Sequence, residues 1–262
     1  MRLKTGSRVE GFESHGRRSK KIRNFLLTPN ESYAIISTSK DEREKPKMTE
    51  KFLVIDTETT NSLDDPLCYD IGFAVVDASG KVYEARSYVV ADIFLDKELM
   101  SFAYFADKIP MYWDDIKSGK RELRRFRTIR SILCDVCATW GIKRIYAHNA
   151  RFDYRSLNTT QRFITGSKYR FFLPFGTEVC DTLKMARNAL GENEAYARFC
   201  EENEFTTLHG KPQFTAEVIY RFLTNDVDFV ESHTGLEDVE IEKEILAYCL
   251  ATCPEFLGHL WD

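Results

Sequence analysis

The stretch that decides the fold is KFLVIDTETTN, Lys51–Asn61. Phe52, Leu53, Val54 and Ile55 form a short, continuous apolar run, which predicts a buried strand. Asp56 and Glu58 follow at its end. Successive side chains of a strand alternate between faces, so residues two apart share one face. Both carboxylates therefore point to one spot, with the small Thr57 between them. Like charges so close are unfavourable unless a cation sits between them. A hard divalent ion such as Mg²⁺ or Mn²⁺, which takes oxygen ligands, relieves that repulsion. A strand running out into a polar turn accounts for the same residues, since Asp, Thr and Asn are common in turns. Residues further along the chain favour the metal reading.

The chain has 262 residues, of which 43% are hydrophobic and 30% charged, an ordinary balance for a globular α/β protein. No apolar run approaches the roughly 18 residues that span a bilayer, so no membrane is expected. The start lacks a basic segment followed by an apolar one, which argues against secretion. Seven scattered cysteines read as reduced thiols in the cytoplasm. Residues 1–47 carry 12 Lys and Arg against 6 Asp and Glu, whereas residues 48–262 carry 25 against 35. The first segment reads as a basic, disordered leader upstream of a start at Met48, with a nucleic-acid-binding arm as its rival. A single domain, 48–262, follows as one unit.

After the first strand, Tyr69–Val76 and Lys81–Val90 are expected to form an antiparallel hairpin across the turn Asp77–Gly80. Ile93–Lys108 reads as a helix. Lys117–Arg130 is strongly basic and reads as a solvated face, or else as a patch that tracks phosphates. Ile129–Trp140 is a helix, Ile142–Ala147 a strand and Arg151–Thr165 a helix. An extended stretch spans Phe171–Thr182 around Pro174 and Gly176. Helices follow over Thr182–Leu190, Glu194–Glu202 and Phe214–Leu223, and a long one runs from His233–Asp238 to about Cys249. Cys134, Cys137, Cys249 and Cys253 lack companion zinc ligands and read as small hydrophobes. Strands and helices in this order imply a mixed sheet with helices on its faces.

Asp56 and Glu58, then Asp153, then His233 with Asp238 each fall at a strand end or helix start. Sites gather at such edges of open α/β sheets. Asp153 opens its helix, where the macrodipole favours an anion. His233 and Asp238 are five apart, about 140° around a helix, so they do not share a helical face. His233 is therefore expected in the loop before the helix and Asp238 in its first turns. Taken singly, His233 reads as a surface residue, Asp153 and Asp238 as helix-start charges, and His148 as structural.

DTET (Asp56–Thr59), HNARFD (His148–Asp153) and HTGLED (His233–Asp238) together resemble the three motifs of the DnaQ-like, DEDDh 3′–5′ exonucleases. CDTL (Cys180–Leu183) resembles a strand-to-helix junction that recurs in that family. The resemblance covers Lys51 to Cys249. It implies an RNase H-like, mixed five-stranded sheet flanked by helices, and two-metal hydrolysis of the 3′ ends of single-stranded DNA or RNA with release of nucleoside monophosphates. It further implies a nucleic-acid-binding hydrolase, in DNA replication or repair among other settings. By that resemblance, Asp56 bridges two Mg²⁺ or Mn²⁺ ions, Glu58 and Asp238 complete one site, and Asp153 supports the other. His233 is the general base, which suits a residue that titrates near neutral pH. Thr57 and Thr59 hold the terminal nucleotide, while Asn149 orients the loop and Phe152 packs near the last base. Asn61 stands where the family often has Gly, Gly235 where Ala is common, and Glu237 is an added charge without an assigned role. An RNA-trimming, oligoribonuclease-like enzyme and a non-catalytic nucleic-acid-binding module remain as alternatives. The sugar and any polymerase partner stay open.

Overall fold

A computed structural model describes residues 50–262; the leader and the start at Met48 lie outside the described residues. The apolar run at Lys51 becomes β1 (Lys51–Thr60), and the hairpin follows as β2 (Leu67–Asp77) and β3 (Val82–Val90). Asp77 closes that hairpin. Its Oδ1 accepts from the Ser79 amide at 2.9 Å and the Ser79 hydroxyl at 2.6 Å, and Gly80 supplies the left-handed residue at φ 78°.

The segment expected as one helix over Ile93–Lys108 is instead broken. It forms α1 (Ala91–Phe94), α2 (Lys97–Met100) and a 3₁₀ turn over Ala106–Lys108, before α3 (Ile109–Ser118). Asp96 ends the first piece by capping the second, accepting from the amides of Glu98 and Leu99. Pro110, in the first turn of α3, marks a fresh start. Then come β4 (Glu122–Arg124), α4 (Phe126–Trp140), β5 (Arg144–Ala147), α5 (Ala150–Thr165), β6 (Glu178–Asp181), α6 (Thr182–Leu190), α7 (Glu194–Glu202), α8 (Ala216–Thr224) and α9 (Gly235–Thr252).

The sheet has six strands in the order β4-β3-β2-β1-β5-β6. β1, β2 and β3 pair antiparallel, while β4, β5 and β6 join in parallel. The strand beyond the five expected is β4, a three-residue edge piece inside the basic run. The mixed α/β architecture is as expected. The period-2 alternation of β1 sorts its side chains cleanly. Leu53 and Ile55 pack with Phe126, Ile129 and Leu157 on one face, while Phe52 and Val54 pack with Val239, Ile245 and Leu246 on the other. Truncating such fully buried aliphatics to Ala typically costs about 2–5 kcal/mol. No helix among the described residues is long and apolar enough to cross a membrane.

The contact that positions the site is between two glycines. A Cβ on Gly235 would lie 2.6 Å from the Gly72 amide nitrogen, and one on Gly72 would lie 2.1 Å from the Gly235 carbonyl carbon. Helix α9 therefore starts directly against the backbone of β2. Its first turn sits beside the end of β1, on the face that Asp56 and Glu58 share.

Candidate active site

Asp56, Glu58 and Asp238 come together at the sheet edge, each with a ligand oxygen within 4.8 Å of the others. Alternation along β1 brings the first two onto the α9 face, and the first turn of α9 brings the third. Asp153 arrives from the opposite layer in the first turn of α5, where it accepts from the Thr57 hydroxyl at 2.8 Å. Thr57 is buried and its hydroxyl is committed to that bond. Thr59 is half-buried beside a register shift in the β1–β2 pairing, and Phe152 is half-buried in the first turn of α5. Asn149 takes the left-handed conformation at φ 63° just before α5, and its amide donates to Asp181 Oδ1 at 3.0 Å. Asp181 also caps α6 through the Leu183 amide, so the CDTL junction ties the α5 entry to the next helix.

The charges are crowded. Burial, followed by the Glu242 carboxylate and then Asp153, raises Asp56 well above the ordinary carboxylate range. Burial and then Asp238 push Glu58 up to about 9. Burial lifts Asp153 to about 7 against the pull of the Thr57 hydroxyl, and burial with Glu231 lifts Asp238 to about 7. Lys108 is the lysine that reaches this neighbourhood, and its ammonium donates to the Ser232 carbonyl. Oxygen donors that repel one another in this way fit a hard divalent cation.

His233 sits in the loop before α9 at φ 50°, as its spacing from Asp238 predicts. Its ring stacks on Phe105 at 4.4 Å between centroids and 10° between planes. Its Nδ1 lies 3.8 Å from Glu231 Oε2. Burial, helped by the Lys108 charge, lowers its pKa and favours the neutral imidazole. His148 is structural, with Nδ1 against Thr182 Oγ1 at 3.1 Å and Nε2 against the Phe214 carbonyl at 2.8 Å.

Several residues escaped the sequence reading. Glu242 lies four residues after Asp238, and its i,i+4 spacing was the signal that could have found it. Glu231 precedes His233 by two. Phe105 comes from the broken segment between α2 and α3. Arg121, hidden in the basic run, is buried and joins Asp70 at 3.3 Å, Asp115 at 2.9 Å and Glu237 at 2.7 Å. This gives Glu237 its role: although burial opposes its ionisation, the Thr234 hydroxyl and Arg121 hold it at about 2. Asn61 adopts φ 72°, the left-handed turn that Asn tolerates in place of Gly.

No protein-family model and no curated protein matches the chain. Solved structures do resemble it. E. coli exonuclease I in complex with a 5cy-dT13 oligonucleotide is similar at TM-score 0.50 and 12% identity, over 79% of this chain and 41% of that one. Exonuclease I from Methylocaldum szegediense gives TM-score 0.50 and 13% identity over the same shares. Exonuclease X in complex with 5′ overhanging duplex DNA gives TM-score 0.44 and 18% identity, over 79% of this chain and 95% of that one. The chain spans about two fifths of the length of the exonuclease I chains it matches. At these identities the likeness is one of fold, and the chain has the RNase H-like fold found in those exonuclease I structures.

Proposed function

We propose that this chain is a metal-dependent 3′–5′ exonuclease that hydrolyses single-stranded nucleic acid from its 3′ end and releases nucleoside monophosphates. The observation that carries this reading is the convergence of Asp56, Glu58 and Asp238, with Asp153 alongside. Among the described residues no lysine or arginine pairs with any of the four. The fit to a metal rests on the donor set, which is all carboxylate oxygen, and on Asp56 Oδ2, which is buried without a hydrogen-bond partner. Asp56, Glu58 and Asp238 would hold one Mg²⁺ or Mn²⁺, and Asp56 with Asp153 the other. When bound, the pair of ions supplies an ionised nucleophile near neutral pH and positive charge at the leaving 3′-oxygen.

The chain's own groups do the rest. His233, neutral at pH 7 and partly open to solvent, takes the proton of the attacking water on its imidazole nitrogen. Phe105 holds that ring by stacking, and Lys108 fixes the loop through the Ser232 carbonyl. Thr57 fixes the rotamer of Asp153. Asn149, Thr59 and Phe152 lie at the same sheet edge and receive the terminal nucleotide. The bound oligonucleotide of the similar exonuclease I supports single-stranded DNA as a substrate. All seven cysteines are free, which supports action in a reducing compartment such as the cytoplasm.

Digestion of matched 5′-labelled DNA and RNA oligomers with Mg²⁺ or Mn²⁺ tests the proposal. The expected result is a ladder that shortens one residue at a time and disappears in Asp56→Ala. The better-cut strand identifies the sugar. Hydrolysis that survives in Asp56→Ala would overturn the site. No cleavage of either strand with either metal would favour a binding module.

A further inference from the structure

Helix α9 presents a second acid to the site. Glu242 follows Asp238 by one helical turn and so lies on the same face. The glycine contact between Gly72 and Gly235 fixes which way that face points. Glu242 is only 3% exposed. Its Oε1 accepts from the His148 amide at 3.0 Å, while its Oε2 is buried with no hydrogen-bond partner. Asp56 Oδ2 is in the same condition. Asp56 and Glu242 line one cavity of about 520 Å³, together with Glu231, Asn149 and Phe214.

A buried carboxylate that serves only as an amide acceptor has no need of its charge. Glutamine would accept the His148 N–H equally well without the desolvation penalty of an ion. Among the described residues no lysine, arginine or histidine pairs with Glu242. We infer that Glu242 is a fifth carboxylate of the metal centre, holding a divalent cation with Asp56 on the cavity side, away from Glu58. This inference rests on the metal reading of Asp56 given above. An added anionic oxygen strengthens the hold on a hard cation, because affinity in such sites rises with ligand charge. The second cation is therefore bound by the protein before any substrate phosphate arrives.

Titration of the full chain with Mn²⁺, followed by the electron paramagnetic resonance of the free ion, tests this without any turnover. Glu242→Gln removes the charge and keeps the acceptor for the His148 amide. The wild-type chain is expected to show two Mn²⁺ sites. Glu242→Gln should weaken one of them at least tenfold, and Glu58→Gln should weaken the other. Melting of each metal-free variant, followed by circular dichroism, reports folding. If Glu242→Gln does not fold, Glu242→Asp, which keeps the charge but withdraws it by one methylene, should weaken the same site. Two unchanged Mn²⁺ affinities in the folded Glu242 variant would overturn the inference and leave the metal reading intact. A wild-type chain that binds no Mn²⁺ would overturn both.

Discussion

Glu58 and Asp70 face each other across the β1–β2 pair, both buried beside the start of α9, yet they are treated in opposite ways. Asp70 Oδ2 collects the Tyr112 hydroxyl at 2.6 Å, the Gly235 amide at 3.1 Å and Arg121 at 3.3 Å. Its Oδ1 remains without a partner, and burial still raises its pKa. The counter-charge nonetheless comes from within the protein, and Arg121 shares it with Glu237 and Asp115. On the Glu58 side, Asp56, Asp153, Asp238 and Glu242 add four more acids, and no arginine or lysine of the described residues pairs with them. Like charges opposite one another in a sheet are destabilising. The first group is a structural tie that docks α9 onto β2. The second is an arrangement with no paired counter-charge among the described residues, and the proposed metal would supply one. The difference teaches that burial of acids alone does not separate the two groups; an arginine paired with the acid, present at Asp70 and absent at Glu58 among the described residues, does.

The comparison is broken most severely at Asp56. Asp56→Ala should lower hydrolysis by about 10³-fold or more, the scale seen when one member of a reacting unit is removed. The same variant should melt at or above the wild-type temperature without metal, because a repelled carboxylate is gone. Single-turnover digestion and calorimetry together check both signs. Arg121→Ala should do the reverse. Removing one partner of a buried ion pair costs about 3–5 kcal/mol, so urea unfolding should shift strongly while Mn²⁺ still binds the folded chain. A mild effect of Arg121→Ala on stability would erase the distinction between the two groups.

The acids also set a pH dependence. Asp153 and Asp238 at about 7 and Glu58 at about 9 bind protons in the folded chain that an unfolded chain, with carboxyl values of about 4, has released. Their raised values favour folding below about pH 4, and that contribution is lost as pH rises through 7 and 9. The metal-free protein should therefore lose melting temperature between pH 5 and 9, as roughly bounded by those values. Saturating Mn²⁺ should flatten the slope. A metal-free profile that rises over this range would contradict the crowding described for the site. The smallest effect is expected at Phe105. A stacked ring pair is worth about 0.5–1.5 kcal/mol, so Phe105→Ala should lower kcat by about tenfold at most and leave Mn²⁺ affinity unchanged.

The parts of this picture that were legible in the sequence are those written in local spacing. The run Phe52–Ile55 with Asp56 and Glu58 specifies a strand and a shared face. The five-residue spacing from His233 to Asp238 specifies a loop and a helix start. Asn61 carries its turn in its own side-chain chemistry. What stayed hidden depends on partners distant in the chain. β4 is three residues whose strand character comes from parallel pairing with β3. The helix read over Ile93–Lys108 fails because Asp96 caps a new start and Phe105 turns away to stack on His233. Arg121 looks like any member of a basic run until Asp70 and Glu237 are brought to it. Gly235 reads as a neutral departure from Ala, whereas its contact with Gly72 leaves no room for a methyl group.

The most direct measurement is anomalous scattering from Mn²⁺ in crystals of the full chain. The expected result is Mn²⁺ on the Asp56 carboxylate, shared with Glu58 and Asp238, and none on Asp70 or Glu237. Saturating Mn²⁺ with no ion at Asp56, or an ion bound instead at Asp70, would contradict the division between a compensated tie and a metal centre.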